Sequence, residues 1–182
     1  KPSIAAMVEP ILVPLESFHC VDLEKYQHIP KEKYDLCICL EVAEHLDIKY
    51  SDALIANLTN ASDIILFSAA VPEQGGQHHV NERPPSFWQK KFENKGFKQF
   101  DFLRDRYWKN DGVAWWYKQN ILFYSKVNLS PKLKNLSNDF HGNHVIHPEA
   151  FSEKCSELSI ENTSMRNLLK EIFKRVLKII KI

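Results

Sequence analysis

Apolar positions along the chain fall into short dense runs separated by polar, turn-forming segments. Residues 18–21 are a brief apolar run ending at Asp22, a candidate strand. Residues 34–40, YDLCICL, are apolar almost throughout, which predicts a strand covered on both faces. Residues 51–60 place apolar side chains at 54, 55 and 58, the spacing of one helix face, with Ser51 or Asp52 as the expected cap. DIILFSAAV, residues 63–71, is another strand apolar on both faces. A helix over 85–95 sets Phe87, Trp88 and Phe92 on one side and stops at Gly96. Residues 97–103 and 120–127 alternate as two antiparallel strands joined by an aromatic segment. Strands alternating with helices, closed by an antiparallel pair, predict an α/β fold with a mostly parallel sheet.

The last stretch has a different rhythm. Apolar residues at 165, 168, 169, 172, 176, 179 and 180 follow helical spacing, and basic residues recur at 166, 170, 174 and 178. A basic amphipathic helix over 164–182 suits an anionic membrane surface, its own domain or a partner. The chain therefore divides into a domain over 1–128, a linker or peripheral segment over 129–163, and this helix. Formal net charge is +1 for all 182 residues, but six basic residues against Glu171 give the tail about +5 and leave the rest about −4. An acidic core argues against a nucleic-acid partner. No run of 18 apolar residues and no signal-peptide pattern is visible, and the four cysteines lack CxxC spacing. The chain thus reads as cytoplasmic with reduced thiols, and with a peripheral membrane contact if the tail supplies one.

In a parallel sheet, ligands bind at the carboxyl ends of the strands. Asp22, the stretch Glu41–His45 and the segment after Val71 all follow predicted strands, so they are expected on one rim. His45 lies one helical turn beyond Glu41 and is a candidate base. The long loop 72–84 carries Gly75, Gly76, His78, His79, Asn81 and Glu82, and a loop of this length without regular structure is usually functional or disordered. His79 is the first candidate for catalytic base or substrate contact, with His78 and Asn81 as substrate-binding residues; Asn81 and His79 also suit a role in capping the helix near Pro85. The HHxNE pattern lacks the spacing of a firm zinc motif, and no metal is expected there. Trp115, with Trp108, Trp116 and Tyr117, can stack on a substrate face or pack against the sheet. His141, His144 and His147 read as a loop crossing back over the domain.

FHCVDL, YDLCICLEVAEHL, DIILFSAAVPEQGGQHHVNERPPSFWQKKFENKGF and NILFY together resemble the class I S-adenosylmethionine-dependent methyltransferases over roughly residues 10–127. The resemblance implies a Rossmann-like, seven-stranded sheet with its last strand antiparallel, lying between helical layers. Residues 18–21, 35–40, 63–71, 97–103 and 120–127 correspond to its third to seventh strands. The family's first strand, its glycine-rich turn and the acidic end of its second strand have no counterpart, and no GxGxG occurs among the five glycines. The chain therefore resembles an N-terminally truncated member. By the same resemblance the cofactor is S-adenosyl-L-methionine. Asp22 would accept from the adenine amino group, Leu23 would offer a backbone donor, and Glu41 would face the sulfonium. The expected reaction methylates a hydroxyl or other polar group of a glycan or small molecule. The alternative is a non-catalytic methyltransferase-like module that binds a partner or a membrane.

Overall fold

The computed structural model describes residues 14–26, 30–126, 144–158 and 164–180. The chain divides into two compact units, Lys1–Val145 and Ile146–Ile182. The first is built on strands β1 (Cys37–Leu40), β2 (Ile64–Ser68), β3 (Phe97–Phe100) and β4 (Leu122–Lys126), with helices α1 (Ser51–Ala61), α2 (Pro85–Glu93), α3 (Phe102–Tyr107) and α4 (Trp115–Asn120). The second holds α5 (Pro148–Glu157) and α6 (Met165–Ile180).

The α/β class stands, but the sheet is mixed rather than mostly parallel. Its order is β1-β2-β4-β3. β1 and β2 pair in parallel, with Ile38 opposite Leu66, whereas β4 runs antiparallel to both β2 and β3. The cause is the last strand, which returns between β2 and β3 and turns two of the three described pairings antiparallel. β1, β2 and β3 consequently still point the same way, so the carboxyl ends of β1 and β2 share an edge of the sheet.

Residues 18–21 form no strand, contrary to expectation. A four-residue run gains ladder hydrogen bonds only beside a partner, and among the described residues β1 is an edge strand. The expectation that β1 is covered on both faces also fails. Cys39 is buried, but Ile38 on the opposite face is 59% exposed. The aromatic segment between β3 and β4 is helical, not a simple connection. β3 stops at Phe100 because the Asp101 carboxylate takes both Nε and Nη2 of Arg104, bending the chain into α3. Arg104 Nη1 also reaches the carbonyl of Gln119 in α4, at 3.3 Å.

One face of the sheet carries the core: Cys39, Ile65, Phe67, Leu122 and Tyr124 pack with Leu54, Ile55 and Leu58 of α1 and with Trp88 and Phe92 of α2. These are the apolar positions that the helical spacing selected. Gly96, at φ +78°, follows α2 and donates its N–H to Glu93, the left-handed stop that glycine adopts without strain. Neither predicted cap of α1 operates. Tyr50 occupies the N-cap position without a side-chain bond, and the Ser51 hydroxyl is buried as an acceptor for Asn81 Nδ2.

The segment expected as a linker over 129–163 includes α5 within its described part. His147, expected in a loop, is buried and caps α5 by accepting from the Glu149 amide. His141 lies outside the described residues. α6 fits the predicted tail helix, with Met165, Leu169, Ile172 and Phe173 exposed. No helix among the described residues is long and apolar enough to cross a membrane.

Candidate functional site

The site begins where β1 ends. Glu41 takes φ +52°, a left-handed conformation that non-glycine residues adopt only when their surroundings hold them there. Its amide supplies the hold, donating to both the carbonyl and the hydroxyl of Ser68 at 3.1 Å. The chain then enters a single 3-10 turn, Ala43–His45, instead of a longer helix. That turn presents Glu44 inward and His45 beside the loop 72–84.

The loop is fastened to the same turn. The Glu44 carbonyl accepts from the amides of Val80 and Asn81, at 2.9 and 3.0 Å. Asn81 is buried: its Nδ2 donates to Ala43 O and Ser51 Oγ, and its Oδ1 accepts from Arg83 Nε. Its described contacts are therefore those of a structural clamp and not of a substrate ligand. His78 is exposed at φ +63°, and its carbonyl lies 3.4 Å from His45 Nδ1. His79 Nδ1 lies 3.0 Å from Glu82 Oε1, and the same carboxylate oxygen accepts from the Gly75 amide at 2.7 Å. The rings of His45 and His79 meet edge to face, centroids 4.9 Å apart.

Gly76 makes that approach feasible. A Cβ there would lie 2.4–2.9 Å from three atoms of the His79 ring, at a backbone φ of +147°. Gly76→Ala is expected to destabilise the protein by about 1–3 kcal/mol through overpacking and backbone strain. Urea unfolding checks the stability. The His79 imidazole signals in NMR should shift with it; unmoved signals would show that the ring does not rest on Gly76.

The acids of the rim are electrostatically unusual. Glu41 is pushed up to about 7, first by burial and then by the charge of Glu44; hydrogen bonds from Ser68 and Asn120 pull the other way. Burial likewise raises Glu44, offset in part by the backbone amide of its own turn, the Glu41 carboxyl and the Ala70 amide. Glu44 is 0% exposed, and neither carboxyl oxygen has a hydrogen bond of normal geometry. Burial lowers His45, helped by the neighbouring His79 and opposed by the His78 carbonyl.

The structure thus gathers Glu41, Glu44, His45 and His79, and it adds residues that the sequence did not single out. Asn120 Nδ2 donates to Gln74 Oε1 at 2.9 Å and to Glu41 Oε1 at 3.4 Å, and Gln119 Nε2 reaches Gln74 at 3.4 Å. Polar residues at 119 and 120, directly before the apolar start of β4, were the available signal. Asp22 is not delivered by a strand. It sits in a surface turn, accepting from the Glu24 amide at 3.0 Å and pairing with Lys25 at 2.9 Å, which together hold its carboxyl below the usual range. Leu23 is half-buried against the core. Trp115 opens α4 with its ring against Trp116, on the helix whose other end supplies Asn120. No protein-family model and no curated protein matches this chain.

Proposed function

We propose that the rim around Glu41 serves methyl transfer from S-adenosyl-L-methionine to a hydroxyl or other polar group of a glycan or small molecule. The observation that carries this reading is Glu41 itself: a half-buried carboxylate held in a strained backbone at a strand end, with its proton poised near neutrality. A sulfonium beside it would favour the ionised form and gain the attraction of an anion in a partly dry site. The antiparallel direction of the last described strand is in keeping with the family that the sequence resembles.

When bound, S-adenosyl-L-methionine would supply an electrophilic methyl group and would leave as the neutral thioether, with Glu41 facing its sulfonium. The acceptor's proton goes to Nε2 of His79, whose Nδ1–H is oriented by Glu82. Alignment of the three reacting centres supplies most of the acceleration. Asp22 has no assigned part, because its carboxylate is engaged in its own turn.

A second reading is a non-catalytic module that lies on an anionic membrane. The exposed Met165, Leu169, Ile172 and Phe173 of α6, with Lys170 and Arg175, favour it. Calorimetry separates the two. S-adenosylmethionine should bind the chain, with affinity reduced at least about 10-fold in Glu41→Gln and less reduced for S-adenosylhomocysteine, which lacks the positive sulfur. A folded chain that binds neither compound, yet sediments with phosphatidylserine vesicles, would replace the enzyme reading with the membrane one.

A further inference from the structure

We infer that Glu44, His45 and His79 form a binding site for a divalent transition-metal ion. One ligand atom from each lies within 4.8 Å of the other two, a separation that small side-chain rotations close onto a single ion. The inference rests on the geometry of the chain and not on methyl transfer.

Three further features make this a built site. Glu44 is fully enclosed, yet both its oxygens lack hydrogen bonds of normal geometry. A carboxyl so enclosed is costly to ionise, and a dication directly compensates that cost. The two histidines are each steadied at Nδ1, His79 by the Glu82 carboxylate and His45 by the His78 carbonyl. Such outer contacts fix the tautomer and leave Nε2 with the lone pair that a metal needs. Finally, Glu41 and Glu82 add acidic groups around the pair, which favours a cation over an anion in the same space.

The donor set names the class of ion. Two imidazoles and one carboxylate suit zinc, cobalt, iron(II) or manganese, whereas magnesium and calcium take oxygen-rich shells. Three protein ligands leave at least one position for water or a substrate oxygen. Where methyl transfer is the reaction, an acceptor hydroxyl in that position would be acidified by the ion, and His79 would serve as ligand instead of proton acceptor. The absence of conventional zinc spacing in the sequence is explained by the topology. Glu44 and His45 come from the turn after β1, and His79 from the loop after β2.

The test uses the full chain, stripped with a chelator and titrated with Co²⁺ under visible absorption, then with Zn²⁺ in competition. One Co²⁺ per chain is expected to bind saturably, with ligand-field bands in the visible range, and Zn²⁺ should displace it. His45→Ala and His79→Ala should each weaken binding at least 10-fold, while His19→Ala, at an exposed position, should leave it unchanged. Glu44→Gln is informative only if circular dichroism shows it folded, so the histidine variants decide. Absence of saturable binding by the folded wild type would overturn the site, as would undiminished binding by both histidine variants. Neither readout involves S-adenosylmethionine, so failure here leaves the methyl-transfer reading to its own test.

Discussion

Replacing Phe92 with alanine is expected to destabilise the protein by about 3–5 kcal/mol, the range for deleting a fully enclosed aromatic side chain. Phe92 is completely buried and stacks on Tyr124 with ring centroids 3.9 Å apart and planes 20° from parallel. Its edge also meets Phe67 at 5.4 Å, and Phe97 lies at 6.2 Å. The loss therefore combines transfer of the ring, the aromatic contacts and a cavity that neighbouring rings cannot easily fill. The cavity would open beneath β2, which carries Ser68, and beneath β4, which follows directly on the helix that ends in Asn120. Urea unfolding should show a lower midpoint with an unchanged slope. The matched control is Ile38→Ala, at 59% exposure, for which less than about 1 kcal/mol is expected. A loss below 1 kcal/mol for Phe92 would mean that α2 is not anchored to the sheet as described.

That anchoring was visible in the sequence because it is local. Trp88 and Phe92 are one helical turn apart, and Leu54, Ile55 and Leu58 repeat the same spacing, so both helices advertise their buried faces. The strands around Ile65 and Tyr124 were equally legible as apolar runs. Their pairing was not. Sheet neighbours are chosen by tertiary contacts, and nothing in residues 97–127 announces that β4 inserts between β2 and β3. α3 and α4 were missed because six residues give fewer than two turns of periodicity.

The site divides along the same line. Glu41, His45 and His79 stood out as polar residues after apolar runs. Asn120 did not, since its contact with Gln74 joins positions 46 residues apart. The contacts of Asn81 were hidden for a related reason. An asparagine in a histidine-rich loop resembles a substrate ligand until its amide is found donating to Ala43 and Ser51. The left-handed backbone at Glu41 also carries no sequence mark, because glycine is the usual signal for it.

Glu41→Gln is expected to stabilise the metal-free protein by about 2–3 kcal/mol at pH 8 and to leave it unchanged at pH 4. The sign follows from the direction of the shift. In the folded protein Glu41 holds its proton up to about 7, against an ordinary value of 4.5. Between those values the folded state binds a proton that the unfolded state has released, so wild-type stability falls as pH rises through the window. Below pH 4.5 both states are protonated and the penalty vanishes. Glutamine keeps an oxygen for the Asn120 amide and removes the charge, so its stability profile should be flatter over the same range. Unfolding in urea at several pH values, with chelator present, measures both profiles. Parallel profiles would show that Glu41 ionises in the fold without penalty, which would remove the main physical support for a cofactor-facing acid. The expected result joins a gain in stability to a loss of S-adenosylmethionine binding in one substitution. That opposition would be the signature of a residue that serves a site and not the fold: it occupies a strained backbone and half-buries a carboxylate, a cost that a bound cation would return.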